Sequence, residues 1–231
     1  MQKGRFILNQ NKLYFSGLIL IFLLGMFFLM TIGKESSFLL LNSYHPFYLN
    51  VFFINYTFIG DGIFAISLIA MMFLYFKRKQ CGFALVFSFS ISGMAAQVLK
   101  NLVNSPRPKI YFEAGTYLNF IDGVTLSGSS SFPSGHTATA FAIATVIVLM
   151  TKNKIWQLPV LAAAVLVGYS RIYLAQHFLI DILMGALIGS LTGVLSVYIA
   201  QNVKSLKISF KKLHRFQDNI SQTSPDTIHT V

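Results

Sequence analysis

Cysteine is all but missing from this chain, with Cys81 alone among 231 residues. A single thiol excludes an intramolecular disulfide framework, and no Cys/His cluster has the spacing of a zinc site. Charge is scarce too, at 11% of residues against 55% hydrophobic. An ordinary soluble domain carries about 25% charged residues, so that class is excluded. The net charge of +11 is not gathered into a nucleic-acid-reading module with interleaved aromatics, which sets nucleic acid aside as a partner.

What the chain has instead is apolar runs. Six of them, at residues 14–33, 59–76, 82–103, 134–151, 155–173 and 178–200, approach or exceed the ~18 to 20 residues needed to cross a hydrocarbon core. They predict an all-α polytopic membrane protein with six transmembrane helices. The first run follows Lys3, Arg5 and Lys12 as a signal peptide would, but it is long for one. Lys34-Glu35-Ser36-Ser37 after it offers no small-x-small cleavage site, so the run reads as a retained span. Between spans one and two, residues 36–58 are interrupted by Asn42, His45, Pro46, Asn50 and Asn55, the pattern of a helix lying in the membrane interface.

Basic residues record orientation. Lys3, Arg5, Lys12, Lys77, Arg78, Lys79, Lys152, Lys154, Lys204, Lys207, Lys211, Lys212 and Arg215 fall on one side, thirteen of the eighteen Lys and Arg. By the positive-inside rule that side is cytoplasmic, with both termini. Lys34, Lys100, Arg107, Lys109 and Arg171 fall on the other. A membrane domain over residues 1–212 is followed by a polar stretch, 213–231, without periodicity and expected to be disordered. In the last span Gly185, Gly189 and Gly193 recur every four residues, a stripe on which a neighbouring helix can approach closely.

Three segments beside the outer ends of spans three to six hold nearly every residue that is expensive to place near lipid: Lys100 to Pro108, Pro133-Ser134-Gly135-His136, and Ser170-Arg171 followed by His177 and Asp181. Ionisable groups at such positions are functional candidates. If the last span has begun by His177, Asp181 sits one turn away on the same face, where a carboxylate fixes the imidazole tautomer and leaves the other nitrogen as nucleophile or base. An ordinary ion pair or a pair of metal ligands has the same spacing. Pro133 suits a first helical turn, Ser134 and Gly135 would then present N–H groups and a hydroxyl to an anion, and His136 could pass a proton to a leaving oxygen. A plain helix start reads the same way. Lys100, Arg107 and Arg171 supply three cations, matched to the three equatorial oxygens of a phosphoryl group in transfer. Each alone could be a snorkelling interfacial residue. Pro106 and Pro108 hold Arg107 extended. The long connection 104–133, with its Gly/Ser run at 127–131, reads as a working part rather than a linker.

Together these segments resemble the type 2 phosphatidic acid phosphatase superfamily, whose pattern K-x6-R-P, P-S-G-H and S-R-x5-H-x3-D is matched at every signature position between Lys100 and Asp181. The resemblance implies that His177 attacks phosphorus, Asp181 orients it, and His136 protonates the leaving lipid oxygen. Lys100, Arg107, Ser134, Gly135 and Arg171 would bind the phosphoryl oxygens, with no metal or other cofactor required. It implies a lipid phosphate phosphatase acting at the outer, periplasmic face of the cytoplasmic membrane through a phosphohistidine. Substrates of the class include phosphatidic acid, phosphatidylglycerol phosphate, lipid A phosphates and undecaprenyl pyrophosphate. A lipid phosphotransferase, or a non-catalytic lipid-phosphate binder or transporter, is the alternative. Binding alone needs the cations but not two imidazoles in different roles. No obligate protein partner is evident. Asp61 reads as a helix cap or a substrate contact, Glu113 and Asp122 as solvated loop charges, His45 as interfacial, and His214 as lying on the wrong side.

Overall fold

A backbone removed from water must satisfy its polar groups within its own segment, so long apolar runs become helices. The computed structural model describes residues 9–112 and 119–222, with backbone alone over 203–222; Lys3, Arg5 and Glu113 lie outside the described residues. Helices α1 (Lys12–Ile32), α2 (Lys34–Leu41), α3 (Phe47–Tyr56), α4 (Gly62–Leu74), α5 (Lys79–Val103), the single turn α6 (Pro108–Tyr111), α7 (Gly135–Met150), α8 (Gln157–Tyr173) and α9 (Leu179–Gln222) follow one another, with no strand among the described residues.

Four helical stretches, Lys12–Ile32, Lys79–Tyr111, Lys154–Tyr173 and Leu179–Asn202, are long and apolar enough to cross a membrane. Phe47–Gly60 and Gly62–Leu74 form a pair bent by 54° that makes a fifth crossing if taken as one. The segment expected to lie in the interface is therefore two short helices, and α3 continues through a 3-10 turn, Thr57–Gly60, into the broken span. The remaining apolar run, α7, has 16 residues. At 1.5 Å per residue it is ~24 Å long, short of a ~30 Å hydrocarbon core. It needs no lipid contact of its own, because from Thr137 to Val146 every residue is buried by neighbouring helices. Residues 213–222 of the polar stretch expected after residue 212 fall on the helical extension of α9, and 223–231 lie outside the described residues.

The α7/α9 contact is the most extensive between elements among the described residues, and the glycine stripe lets the two helices approach. A Cβ on Gly185 would stand 2.7 Å from the Ser134 carbonyl, one on Gly193 2.6 Å from Thr145 Cβ, and one on Gly189 would collide with the Ala138 carbonyl. Ala138, Ala142 and Thr145 are the small residues facing it, the pattern by which helices approach in an apolar medium. At the far end of α7, Lys154 Nζ donates to the Val148 and Thr151 carbonyls and to Asn11 Oδ1, while Tyr14 OH meets Thr145 Oγ1 at 2.8 Å. These bonds tie the starts of α1 and α8 to one end of α7. The exterior is apolar, with Leu23, Phe27, Met30, Met94, Leu102 and Leu191 all exposed, and the interior is rich in small polar residues such as Ser88, Ser92, Thr137 and Ser196. An apolar exterior over helix contacts rich in small residues is what a lipid surround selects.

Candidate active site

The C-terminal ends of α5 and α8 meet the N-terminal starts of α7 and α9. Lys100 stands in the last turn of α5, Arg171 in the last turn of α8, Ser134 to His136 at the start of α7, and Asp181 in the first turn of α9. His136 lies within electrostatic reach of Arg171, His177, Lys100 and Arg107. Ser134 N–H donates to the Asp181 carbonyl at 3.0 Å, joining the second and third sequence segments directly. All eight residues singled out from the sequence converge here.

His177 is not yet helical. Ala175 takes a left-handed conformation (φ 50°), the N–H groups of Gln176 and His177 both return to the Arg171 carbonyl, and α9 starts only at Leu179. The expected one-turn pairing within a helix is thus replaced by a capping arrangement. Asp181, third residue of α9, accepts from the Phe178 N–H at 2.9 Å through Oδ2, as the acidic member of a capping box does. The same oxygen accepts from Ser131 Oγ at 2.6 Å and lies 3.6 Å from His177 Nδ1. That separation is ion-pair range rather than a hydrogen bond, and among the described residues His177 Nδ1 has no hydrogen-bond partner. Burial, only partly offset by Asp181, pulls the His177 imidazole from its ordinary 6.5 down to about 4. The resting ring is neutral, with Nδ1 toward the carboxylate and Nε2 left for chemistry.

At the start of α7 the structure differs from the sequence reading in one place. Ser134 is the cap, its Oγ accepting from the Thr137 N–H and Oγ1 at 3.3 and 2.8 Å. Pro133 therefore precedes the helix instead of entering its first turn, because the fully buried serine takes the capping position. Gly135 follows at the first helical position, and a Cβ there would lie 3.9 Å from Lys100 Nζ. The cation and the N-terminal end of the helix thus share one space, an arrangement suited to an anion.

Arg107 is extended (φ −74°, ψ 159°), as its two proline neighbours require. Its N–H donates to the Gly128 carbonyl, and Ser131 N–H to that of Ser105, so the Gly/Ser run is laced to the Arg107 segment. The Arg107 side chain donates through Nη1 to Gln176 Oε1 at 2.8 Å. Arg171, 5% exposed, donates through Nη1 to Thr57 Oγ1 at 2.6 Å, and its Nε has no hydrogen-bond partner among the described residues. Four supporting residues were not singled out from the sequence: Ser131, Gln176, Thr57 and Thr137. Gln176 adjoins His177 and Ser131 lies in the Gly/Ser run, so position hinted at both; Thr57 carried no signal. His45 is outside the site, stacked on Tyr173 at 4.2 Å and bonded to Asn42 and Asn50. Asp122 is exposed. Among the described residues no group of three or more His, Cys, Asp or Glu is placed to hold a metal ion.

Comparison with known proteins bears on this geometry. The model of the PAP2 superfamily matches residues 81–205. An undecaprenyl-diphosphatase of Sulfolobus acidocaldarius is 29% identical over 201 residues, 82% of this chain and 93% of that protein. The crystal structure of Aquifex aeolicus LpxE superposes with a TM-score of 0.64 at 32% identity, covering 71% of this chain and 94% of that one. A transmembrane PAP2-type phosphatidylglycerolphosphate phosphatase from Bacillus subtilis superposes with a TM-score of 0.61 at 25% identity, over 81% and 96%.

Proposed function

The chain belongs to the PAP2 superfamily, whose relatives here are phosphatases acting on lipid phosphates, and from that premise we propose that it cleaves a terminal phosphate from a membrane lipid through a covalent phosphohistidine at His177. The observation that carries this reading is the pairing of two imidazoles with three cations at one set of helix ends, His177 being backed by Asp181 at 3.6 Å.

His177 Nε2 attacks phosphorus while the bond to the lipid oxygen breaks, and His136 gives that oxygen a proton. The phosphorylated ring carries positive charge at Nδ1–H, which Asp181 stabilises. His136, now neutral, takes a proton from water as the water attacks phosphorus. The P–N bond then breaks, releasing phosphate and restoring both rings. Lys100, Arg107, Arg171 and the N–H groups at the start of α7 hold the charge that spreads over the equatorial oxygens. No step needs a metal or other cofactor.

Counting α7 and the bent pair gives six crossings, and the partition of basic residues between the two sides supports cytoplasmic termini with the site at the outer face. Undecaprenyl diphosphate is the first substrate to test, because the relative of that name aligns over most of both chains. Phosphatidylglycerol phosphate, phosphatidic acid and lipid A phosphate complete the panel. We expect purified protein in detergent with a chelator to release inorganic phosphate from at least one of them, to be inhibited by vanadate, and to lose at least ~1,000-fold of its rate in His177→Ala. Activity surviving that substitution would exclude the nucleophile. Phosphate release only in the presence of an acceptor alcohol would favour a phosphotransferase.

A further inference from the structure

The turn Thr57–Gly60 and Asp61 reach the site from outside all three signature segments. Three contacts fix them there. Thr57 accepts the hydrogen bond from Arg171. Gly60 lies directly against the start of α7, where a Cβ would stand 2.8 Å from the His136 carbonyl and 3.0 Å from His136 Cβ. Asp61 then uses one oxygen to cap α4, Oδ1 accepting from the Ile63 N–H at 2.8 Å, and directs the other, Oδ2, to 3.7 Å from His136 Nε2.

The site thus holds two carboxylate–imidazole pairs of opposite character. His177 and Asp181 are 2% and 1% exposed, whereas His136 and Asp61 are 31% and 37% exposed. A buried neutral ring suits a nucleophile; a ring partly open to water suits a group that must load and unload a proton every turnover. His136 faces Arg171 from α8, Lys100 from α5, Arg107 from the segment after it, and His177 from the turn before α9. Three of these are cations and His177 becomes cationic when phosphorylated, so a positive charge on His136 requires an opposing anion. Asp61 is placed to supply it.

Resting on the phosphatase reading above, we propose that Asp61 is the positioning residue of His136: it holds the ring by Nε2 and supports its positive charge, leaving Nδ1–H to protonate the leaving oxygen. The bent span at Asp61 is then a functional feature, since the break that exposes Ile63 N–H is what brings the carboxylate to His136.

Asp61→Asn separates the two duties. Asparagine caps a helix as well as aspartate does, so the start of α4 is kept and only the charge beside His136 is lost; Asp61→Ser, which caps but cannot reach the ring, is the second variant. Both are assayed on a short-chain alkyl phosphate, whose leaving oxygen needs a proton, and on a nitrophenyl phosphate, whose leaving group does not. Both variants are expected to lower kcat/KM, which reports phosphorylation of His177 and not the hydrolysis step the two esters share, about 10- to 100-fold on the alkyl ester and less than about 3-fold on the nitrophenyl ester. In a His136→Ala background, Asp61→Asn is expected to have no further effect on the alkyl ester. Equal losses on both esters, no loss on the alkyl ester, or losses that multiply in the double variant would overturn the assignment while leaving the phosphatase reading intact. A wild-type chain inactive on the alkyl ester and on the lipid panel would overturn that reading itself, and the assignment with it.

Discussion

At the scale of single residues, the site is governed by where each imidazole sits relative to water. His177 is buried beside a carboxylate that already serves two other donors, Ser131 and the Phe178 N–H. Its ring is therefore expected to remain neutral from pH 8 to pH 5, losing neutrality only as pH falls through about 4. Histidine-selective NMR, with the resonance assigned by its loss in His177→Asn, checks this; a midpoint between 6 and 7 would contradict it. Ser131 holds the Asp181 carboxylate at 2.6 Å, so Ser131→Ala should lower kcat by about 10-fold, which corresponds to ~1.4 kcal/mol of transition-state stabilisation. The expected signature is a fall in kcat at nearly constant KM in a phosphate-release assay, because the serine touches the carboxylate and not the lipid. His177, Asp181 and the three cations were all legible from residue type and spacing. Ser131 was not, since a serine in a Gly/Ser run looks like any loop serine until the loop is laced to Ser105 and Arg107.

At the scale of elements, the proposed site depends on how closely α9 lies on α7, because that contact brings Asp181 to the start of α7. Gly189→Ala places a methyl group on the Ala138 carbonyl, and such overpacking costs about 1 to 3 kcal/mol. Thermal unfolding in detergent should register it as a lowered Tm with reduced activity. Gly93→Ala on α5, where nothing lies within 4 Å, is the control and should leave Tm unchanged or slightly raised. The four-residue period of the glycines announced this stripe in the sequence. The bend at Asp61 was not announced in the same way: the pattern of residues 36–58 suggested one interfacial helix, whereas the chain makes one short helix, Lys34–Leu41, and then α3 and a 3-10 turn as the first half of the broken span. Composition could not decide this, because Phe47–Tyr56 is as apolar as a crossing helix and its course depends on docking near Tyr173 and Tyr169.

At the scale of the whole molecule, sidedness is the testable property. Lys154 and Asn11 meet at one end of α7 and the site is built at the other, which agrees with the partition of basic residues between two sides. In a Cys81→Ser background, Ser127→Cys, exposed in the loop near the site, should react with a membrane-impermeant maleimide on intact cells. Lys152→Cys, exposed at the opposite end, should react only after permeabilisation. The reverse pattern would place the site on the cytoplasmic side. The sequence by itself determined the all-α membrane character, the glycine stripe, and the eight residues that converge at the candidate site, because each is recorded locally in an apolar run, a four-residue period or a short spaced motif. Only the tertiary structure decided that Thr57 holds Arg171 from 114 positions away, that Gln176 holds Arg107, and that Asp61 stands beside His136. Such contacts arise where one helix end docks on another, and no local pattern encodes which two ends will meet.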